Sequence, residues 1–239
     1  MKTYVYGIVP GGQPPLPDRL EGVGDPPRPV RGVRAGELTA LVSDCPEGIR
    51  PRRRDLMAHQ RVLTEVGKVC TVLPMRFGSV SPDESQVREV LTARAADYRD
   101  RLRRLDGRSE YNVKAVHHEQ VLLRQLLDEE PGLREMAAAN RSAGGGSYES
   151  RLQTGERVAR AVQDREKVDA ELVTEALTPL AEEHRPGPES GGWFVNLSLL
   201  VPREGGAAVA EAVDRLRREH PRLDLRLNGP LPPYSFVEP

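Results

Sequence analysis

Aromatic residues are scarce in this 239-residue chain, which carries one Trp, six Tyr and three Phe. Cysteine is scarcer still, with only Cys45 and Cys70. The first residues, Met1-Lys2-Thr3-Tyr4-Val5-Tyr6-Gly7-Ile8-Val9, lack the apolar core of a signal peptide and read as a strand. Without an export signal, two cysteines read as reduced thiols, and the expected compartment is the cytoplasm. Each adjoins an apolar segment, where a free cysteine packs as a small hydrophobe. No run approaches the roughly 18 apolar residues of a helical membrane span. Charge of one sign is missing too. Lys and Arg number 35 against 36 Asp and Glu, a net charge of −1. No global field therefore steers the chain onto nucleic acid or an anionic membrane. Lysine is rare at four of the 35 basic residues, which reflects codon usage and says nothing of function.

What remains is enough for one large or two small domains. Thr3–Val9 alternates and reads as a strand. Pro10–Pro29 is a Gly- and Pro-rich loop. Val30–Val33 and Leu38–Val42 flank a hairpin turn at Arg34-Ala35-Gly36-Glu37. From Asp55, Leu56, His59, Leu63, Val66 and Val69 recur at helical spacing, and Cys70–Phe77 reads as a buried strand. Ser81-Pro82-Asp83-Glu84 predicts a capped helix start, with one helix running to a stop at Gly107. Tyr111–Val116 predicts a strand and Glu119–Glu130 a helix. A short helix follows up to Asn140. Gly144-Gly145-Gly146 then breaks the chain, and Ser147 caps a long helix to about Glu183, with Pro179 as a kink or an earlier end. Its predicted stripe includes Tyr148, Leu152, Val168, Leu172 and Ala176. Pro186–Gly192 is a loop and Trp193–Val201 the most apolar strand. A helix begins at Gly205 with Ala208, Val209, Ala212, Val213 and Leu216 inward, and Leu223–Leu227 is the last strand. The expected fold is α+β. Residues 1–108 form an N-terminal α+β domain. Residues 109–228 form a ferredoxin-like domain with a helical insertion at about 119–185, and residues 229–239 form a Pro-rich tail.

A search for chemistry returns little. Gly144-Gly145-Gly146-Ser147 lacks the Lys and Ser or Thr of a phosphate-binding loop and reads as a linker. His117 and His118 are adjacent on a strand and point to opposite faces. His59, His184 and His220 have no ligand partner at zinc-like spacing, so all read as surface or helix-cap residues. No nucleophile elbow or Cys-x-x-Cys pair occurs. Arg50-Pro51-Arg52-Arg53-Arg54 and the basic run in Arg99–Arg104 could touch phosphates, but without interleaved aromatics they read as solvated faces. No catalytic residue, metal or cofactor is expected.

Two segments look like architecture instead. One is Leu73-Pro74-Met75-Arg76-Phe77-Gly78-Ser79-Val80, an apolar strand interrupted by Arg76. A buried arginine needs partners. Arg76 is either a ligand or partner contact, or an internal anchor whose five donors organise a loop. The other is the tail, Gly229-Pro230-Leu231-Pro232-Pro233-Tyr234-Ser235-Phe236-Val237. Pro230, Pro232 and Pro233 keep it extended and lower its ordering cost. Two of the ten aromatics, Tyr234 and Phe236, then serve as docking anchors.

These two segments, with Tyr4-Val5-Tyr6-Gly7-Ile8-Val9 and Trp193-Phe194-Val195-Asn196-Leu197-Ser198-Leu199-Leu200-Val201, resemble the gas vesicle protein F/L family, in the family's order and across nearly the whole chain. The resemblance implies a minor, non-enzymatic component of gas vesicles, acting during assembly in the cytoplasm. It also implies an α+β N-terminal domain and a modified ferredoxin-like C-terminal domain. The implied partners are the hydrophobic shell protein and other gas vesicle accessory proteins, not nucleic acid or lipid. Arg76, Phe77, Trp193, Pro230, Pro232, Pro233, Tyr234 and Phe236 are the structural or interaction candidates. The expected device is an apolar groove or edge strand between the two domains, latched by the tail. The competing readings are a small-molecule enzyme on a ferredoxin-like scaffold and a nucleic-acid-binding regulator.

Overall fold

A computed structural model describes residues 2–12, 20–188 and 192–238. Parts of two expected loops, residues 13–19 within Pro10–Pro29 and 189–191 within Pro186–Gly192, lie outside them. Helix and sheet are mixed throughout. The chain divides into two compact units, one of the residues up to Glu110 together with those from Gly229 onward, the other Tyr111–Asn228.

The first unit is built on β1 (Thr3–Pro10), β2 (Arg31–Ala35) and β3 (Leu38–Asp44). β1 pairs antiparallel with β3, and β2 with β3, across the expected hairpin. On the other side of β1 run two short strands, β4 (Leu73–Pro74) and β5 (Val80–Ser81). The expected Cys70–Phe77 strand is therefore only two residues long. Pro74 has no N–H to extend a ladder, and Gly78 turns the chain at φ 86°. The segment still follows β1, with Met75 N–H donating to Tyr6 O (2.8 Å) and Val5 N–H to Ser79 O (2.9 Å). A short, proline-bearing edge of this kind resists strand addition.

Helix α1 (Arg53–Gly67) packs on the sheet through His59, Val62, Leu63 and Val66. Its stripe is rotated from the expected one. Leu56 and the following Val69 are exposed, while Asp55 is buried. Gly7 is required by this packing, because a Cβ there would lie 2.8 Å from Leu63 Cδ2 and 2.9 Å from Leu73 O. The single helix expected before Gly107 is two, α2 (Glu84–Ala93) and α3 (Ala95–Leu105), broken at Arg94. The buried residues Val87, Leu91, Tyr98, Leu102 and Leu105 keep helical spacing across the break, so periodicity does not reveal it. The cap is Asp83 rather than Ser81. Its carboxylate accepts from Gln86 N–H (2.9 Å), whereas Ser81 is engaged in β5.

In the second unit, β6 (Arg108–His117), β7 (Glu183–Pro186), β8 (Val195–Pro202) and β9 (Leu223–Leu231) form a sheet in the order β7-β8-β6-β9. β6 begins, and β9 ends, within the first unit's residues. Helices α4 (Glu119–Glu129), α5 (Pro131–Ser142) and α6 (Tyr148–Leu177) lie between β6 and β7 in sequence, and α7 (Gly206–Glu219) between β8 and β9. Ser147 caps α6 as expected, accepting from Ser150 N–H (3.1 Å). The helix ends at Leu177, not Glu183, because a 3₁₀ turn containing Pro179 stops it. The freed residues supply β7, which sequence reading missed because Glu-His-Arg-Pro shows no apolar alternation. In α6 the core takes Asp169, Val173 and Leu177, while Tyr148, Leu152 and Val168 are exposed. Ala208 of α7 is likewise exposed, leaving Val209, Ala212, Val213 and Leu216 inward.

Candidate functional site

The two segments that stand out in the sequence meet in the first unit around His59. From α1 its imidazole reaches two partners, Tyr4 Oη at Nδ1 (2.9 Å) and Met75 O at Nε2 (3.0 Å). A carbonyl only accepts, so Nε2 carries the proton and Nδ1 accepts from the Tyr4 hydroxyl. Tyr4 Oη in turn accepts from Gly78 N–H (3.1 Å). One neutral histidine and one tyrosine thus fix both ends of the Met75–Gly78 loop. Burial pushes the His59 pKa down, against the opposing pull of the Met75 carbonyl, and pushes the Tyr4 hydroxyl up. Rings close the site. Phe77 meets Tyr4 and His59 edge-on at centroid distances of 5.9 and 5.8 Å, and Tyr234 lies 6.4 Å from His59.

The tail docks on the same unit. Phe236 and Pro233 are buried, and Phe236 is fully enclosed. Buried Glu110 accepts from Ser235 N–H (2.9 Å) and Ser235 Oγ (2.7 Å). Arg101 donates to Val237 O (2.9 Å), and Arg104 donates to Phe236 O. The carbonyls at the end of the tail's short 3₁₀ turn, Tyr234–Phe236, are thereby satisfied by guanidiniums from α3. The basic run in Arg99–Arg104, expected to be a solvated face, is partly a tail clamp. Tyr234 is the half-exposed member, its hydroxyl raised by burial and then by the charge of Glu110. Pro230 is exposed and Pro232 half-buried.

Arg76 does not sit where its apolar neighbours suggest. Its side chain is 86% exposed, and its ion pair with Glu238 is loose at 3.7 Å. The strand ends before it, so the alternation that would turn it inward is lost. The readings of Arg76 as a buried charge and as an internal anchor are both corrected: the loop is organised by Tyr4 and His59. Trp193 belongs to the second unit. It is half-buried, with Arg226 over its ring at 4.8 Å and Lys114 at 5.7 Å. Next to it Phe194 stacks on His117 (4.4 Å). Neither His59 nor His117 is the surface histidine expected. His59 could have been found from its place four residues before Leu63 on an apolar stripe.

Beside the Met75–Ser79 loop a groove of about 300 Å³ opens between the sheet and α2, walled by Val5, Ile8, Val80, Val87, Val90 and Leu91. Val80 and Val90 are about two-fifths exposed there. Among the described residues no three potential metal ligands cluster. No helix among them is long and apolar enough to cross a membrane.

In this mixed helix-and-sheet chain the distinctive motifs dock the tail and pin a loop. Its relatives specify the class. Residues 2–238 match the family described as gas vesicle synthesis protein GvpL/GvpF. The chain is 55% identical over 238 residues to gas vesicle protein F of Streptomyces sp. (strain CB03234), covering 100% of both chains. It is 32% identical to gas vesicle protein L of the same strain, covering 98% of this chain and 92% of that one. The crystal structure of the gas vesicle protein GvpF from Anabaena sp. PCC7120 matches with a TM-score of 0.78 at 25% identity, over 99% of this chain and 98% of that one. The chain therefore belongs to the GvpL/GvpF family of gas vesicle proteins.

Proposed function

We propose that this chain is a non-enzymatic assembly component of gas vesicles that binds the small hydrophobic shell protein in the cytoplasm, alongside other gas vesicle accessory proteins. The observation that carries the reading is the family match across residues 2–238. The greater similarity to an F than to an L protein of one strain supports a role on the F branch. The strand order β7-β8-β6-β9 supports reading residues 109–228 as a ferredoxin-like domain whose first crossover is enlarged by α4, α5 and α6. It follows an N-terminal α+β domain of residues 1–108, with 229–239 as a docked tail.

The proposed contact surface is on the first unit. The groove beside Val80 and Val90 offers apolar area to a partner too hydrophobic to remain alone in water. Exposed Arg76 and Tyr234 are the proposed charge and aromatic contacts. Phe77, Phe236, Pro230, Pro232 and Pro233 hold the loop and tail in shape, and Trp193 stiffens the second unit. The test is co-expression with the shell protein and pulldown through a tag on this chain. Soluble shell protein should co-purify, and Val80→Asp with Val90→Asp should abolish it while leaving the circular dichroism of the chain unchanged. Capture of equal amounts by the double variant would sink the groove as the contact. No capture by either chain would sink the shell protein as the partner.

A further inference from the structure

The Arg50-Pro51-Arg52-Arg53-Arg54 motif is unused by the function above, and the structure places three of its arginines, Arg50, Arg52 and Arg54, in the lining of one cavity. A cleft of about 510 Å³ lies in the first unit where the Gly22–Arg28 turn, the segment after β3 and the start of α1 come together. That volume falls within the ordinary range of small-molecule sites, about 300–1,000 Å³.

The lining charges sort into two groups. One group is consumed in holding the walls. Arg54 pairs with Asp25 at 2.5 Å and with buried Asp55 at 3.6 Å. Asp55 also accepts from Gly24 N–H (3.0 Å), and Asp44 is taken by Arg31 (2.8 Å). The other group has no ion pair among the described residues: Arg28, Arg50 and Arg52 against the single carboxylate of Glu47. Over the whole lining four arginines balance four carboxylates, but the committed ones are spent on the walls, and the three free arginines against Glu47 leave the uncommitted side of the cleft positive by two. Three guanidiniums from two separate segments facing one cleft suit the tetrahedral, multiply charged oxygens of phosphate, which Arg recognises with paired donors. α1 starts at this rim without a side-chain cap, which adds to the same polarity. The remaining wall is apolar, from Pro46 and half-buried Ile49. A bare anion would leave it unused. The cleft is too small for a duplex.

We infer that this cleft binds a small phosphorylated ligand of the nucleoside di- or triphosphate class, its phosphates on Arg28, Arg50 and Arg52 and its organic part against Pro46 and Ile49. The inference is independent of shell-protein binding.

The test is isothermal titration calorimetry of the full chain with ATP and with inorganic pyrophosphate, at low and at moderate salt. Both should bind at one site, more weakly as salt screens the charges. ATP should bind more tightly than pyrophosphate. Arg50→Ala with Arg52→Ala should weaken both by about tenfold or more, as expected for loss of charged hydrogen bonds, with an unchanged melting temperature because both side chains are exposed and unpaired. Arg88→Ala, on α2 away from the cleft lining, should change nothing. Absence of binding for both ligands at millimolar concentration, or equal binding by the double variant, would overturn the site. Equal affinities for the two ligands would overturn the role of Pro46 and Ile49.

Discussion

Each unit of this molecule buries a histidine in a hydrogen-bonded network, and the two networks are built on opposite principles. In the first unit His59 is held by a tyrosine hydroxyl and a backbone carbonyl among rings, with no charged side chain bonded to it among the described residues. In the second, His117 Nε2 donates to Asp169 (2.8 Å), a carboxylate with no exposure at all, which also takes Arg222 through both oxygens (2.8 and 2.5 Å). Burial alone would raise the Asp169 pKa. The bonds from Arg222 and His117 outweigh it and hold the carboxyl at about 2. The comparison separates two uses of a buried polar group. The neutral network positions a loop that carries exposed residues. The ionic one ties α6 to β6 and to the turn before β9, and touches nothing exposed in the motifs.

The largest effect should come from breaking the ionic network. Asp169→Ala leaves the Arg222 guanidinium buried without its partner, which costs about 3–5 kcal/mol. Urea denaturation followed by the fluorescence of Trp193, the single tryptophan, reads it in the unit where Asp169 lies. A loss under about 1 kcal/mol would mean the network is surplus to packing. The counterpart in the first unit is Phe236→Ala, which empties a fully enclosed tail anchor and should cost about 3 kcal/mol. Hydrogen exchange should show the Ser235 amide, donated to Glu110, losing protection together with those of β1. Unchanged β1 protection would show that the tail packs without supporting the sheet.

The sequence displays one of these networks only in part, for a physical reason. His59 lies on an apolar stripe with Leu63 and Val66, so its inward direction was legible while its partners were not. Tyr4 and Met75 reach it from 55 and 16 residues away. Asp169 was illegible. A carboxylate one residue from Val168 reads as the polar side of a helix: of the expected stripe, Leu172 and Ala176 do pack against the core, and only Val168, beside Asp169, turns outward. Only Arg222, 53 residues on, reverses the choice. The same one-residue rotation hides Asp55 behind Leu56 in α1. The local signals were reliable where their physics is local: the β2–β3 hairpin, the Ser147 cap and the Gly107 stop at φ 70°. Arg76 misled because alternation was extended past Pro74, where the ladder had already ended.

Acid separates the two networks by sign and by window. The His59 pKa is lowered on folding from its ordinary 6.5. The unfolded chain then binds the extra proton first. The contribution is complete above pH 6.5 and is lost as the pH falls below it toward the folded value. Asp169 is lowered from 3.8 to about 2, so its contribution is complete above pH 3.8 and is lost between there and 2. Thermal melts from pH 8 to 5 should show a decline that His59→Gln removes from its own, lower, starting point. An identical slope in both chains would mean that His59 is protonated without cost and that the Tyr4 hydroxyl can reverse to accommodate it.

The smallest effect sharpens the comparison most. Arg76 sits on the loop that the His59 network positions, yet contributes only a loose and largely exposed pair with Glu238. Such a pair is worth little, so Arg76→Ala should change stability by less than about 0.5 kcal/mol. Tyr4→Phe, on the same loop's support, removes the donor to His59 and the acceptor for Gly78, and should cost more, about 1–3 kcal/mol for the groups left unpaired. If the loop exists to present residues, shell-protein capture should fall in both variants, through loss of a contact in Arg76→Ala and of its geometry in Tyr4→Phe. Capture unchanged in Arg76→Ala but lost in Tyr4→Phe would assign the contact to the groove wall at Met75 and Val80 and leave the arginine as solvated charge. A large loss of stability in Arg76→Ala would contradict the exposure on which the distinction rests.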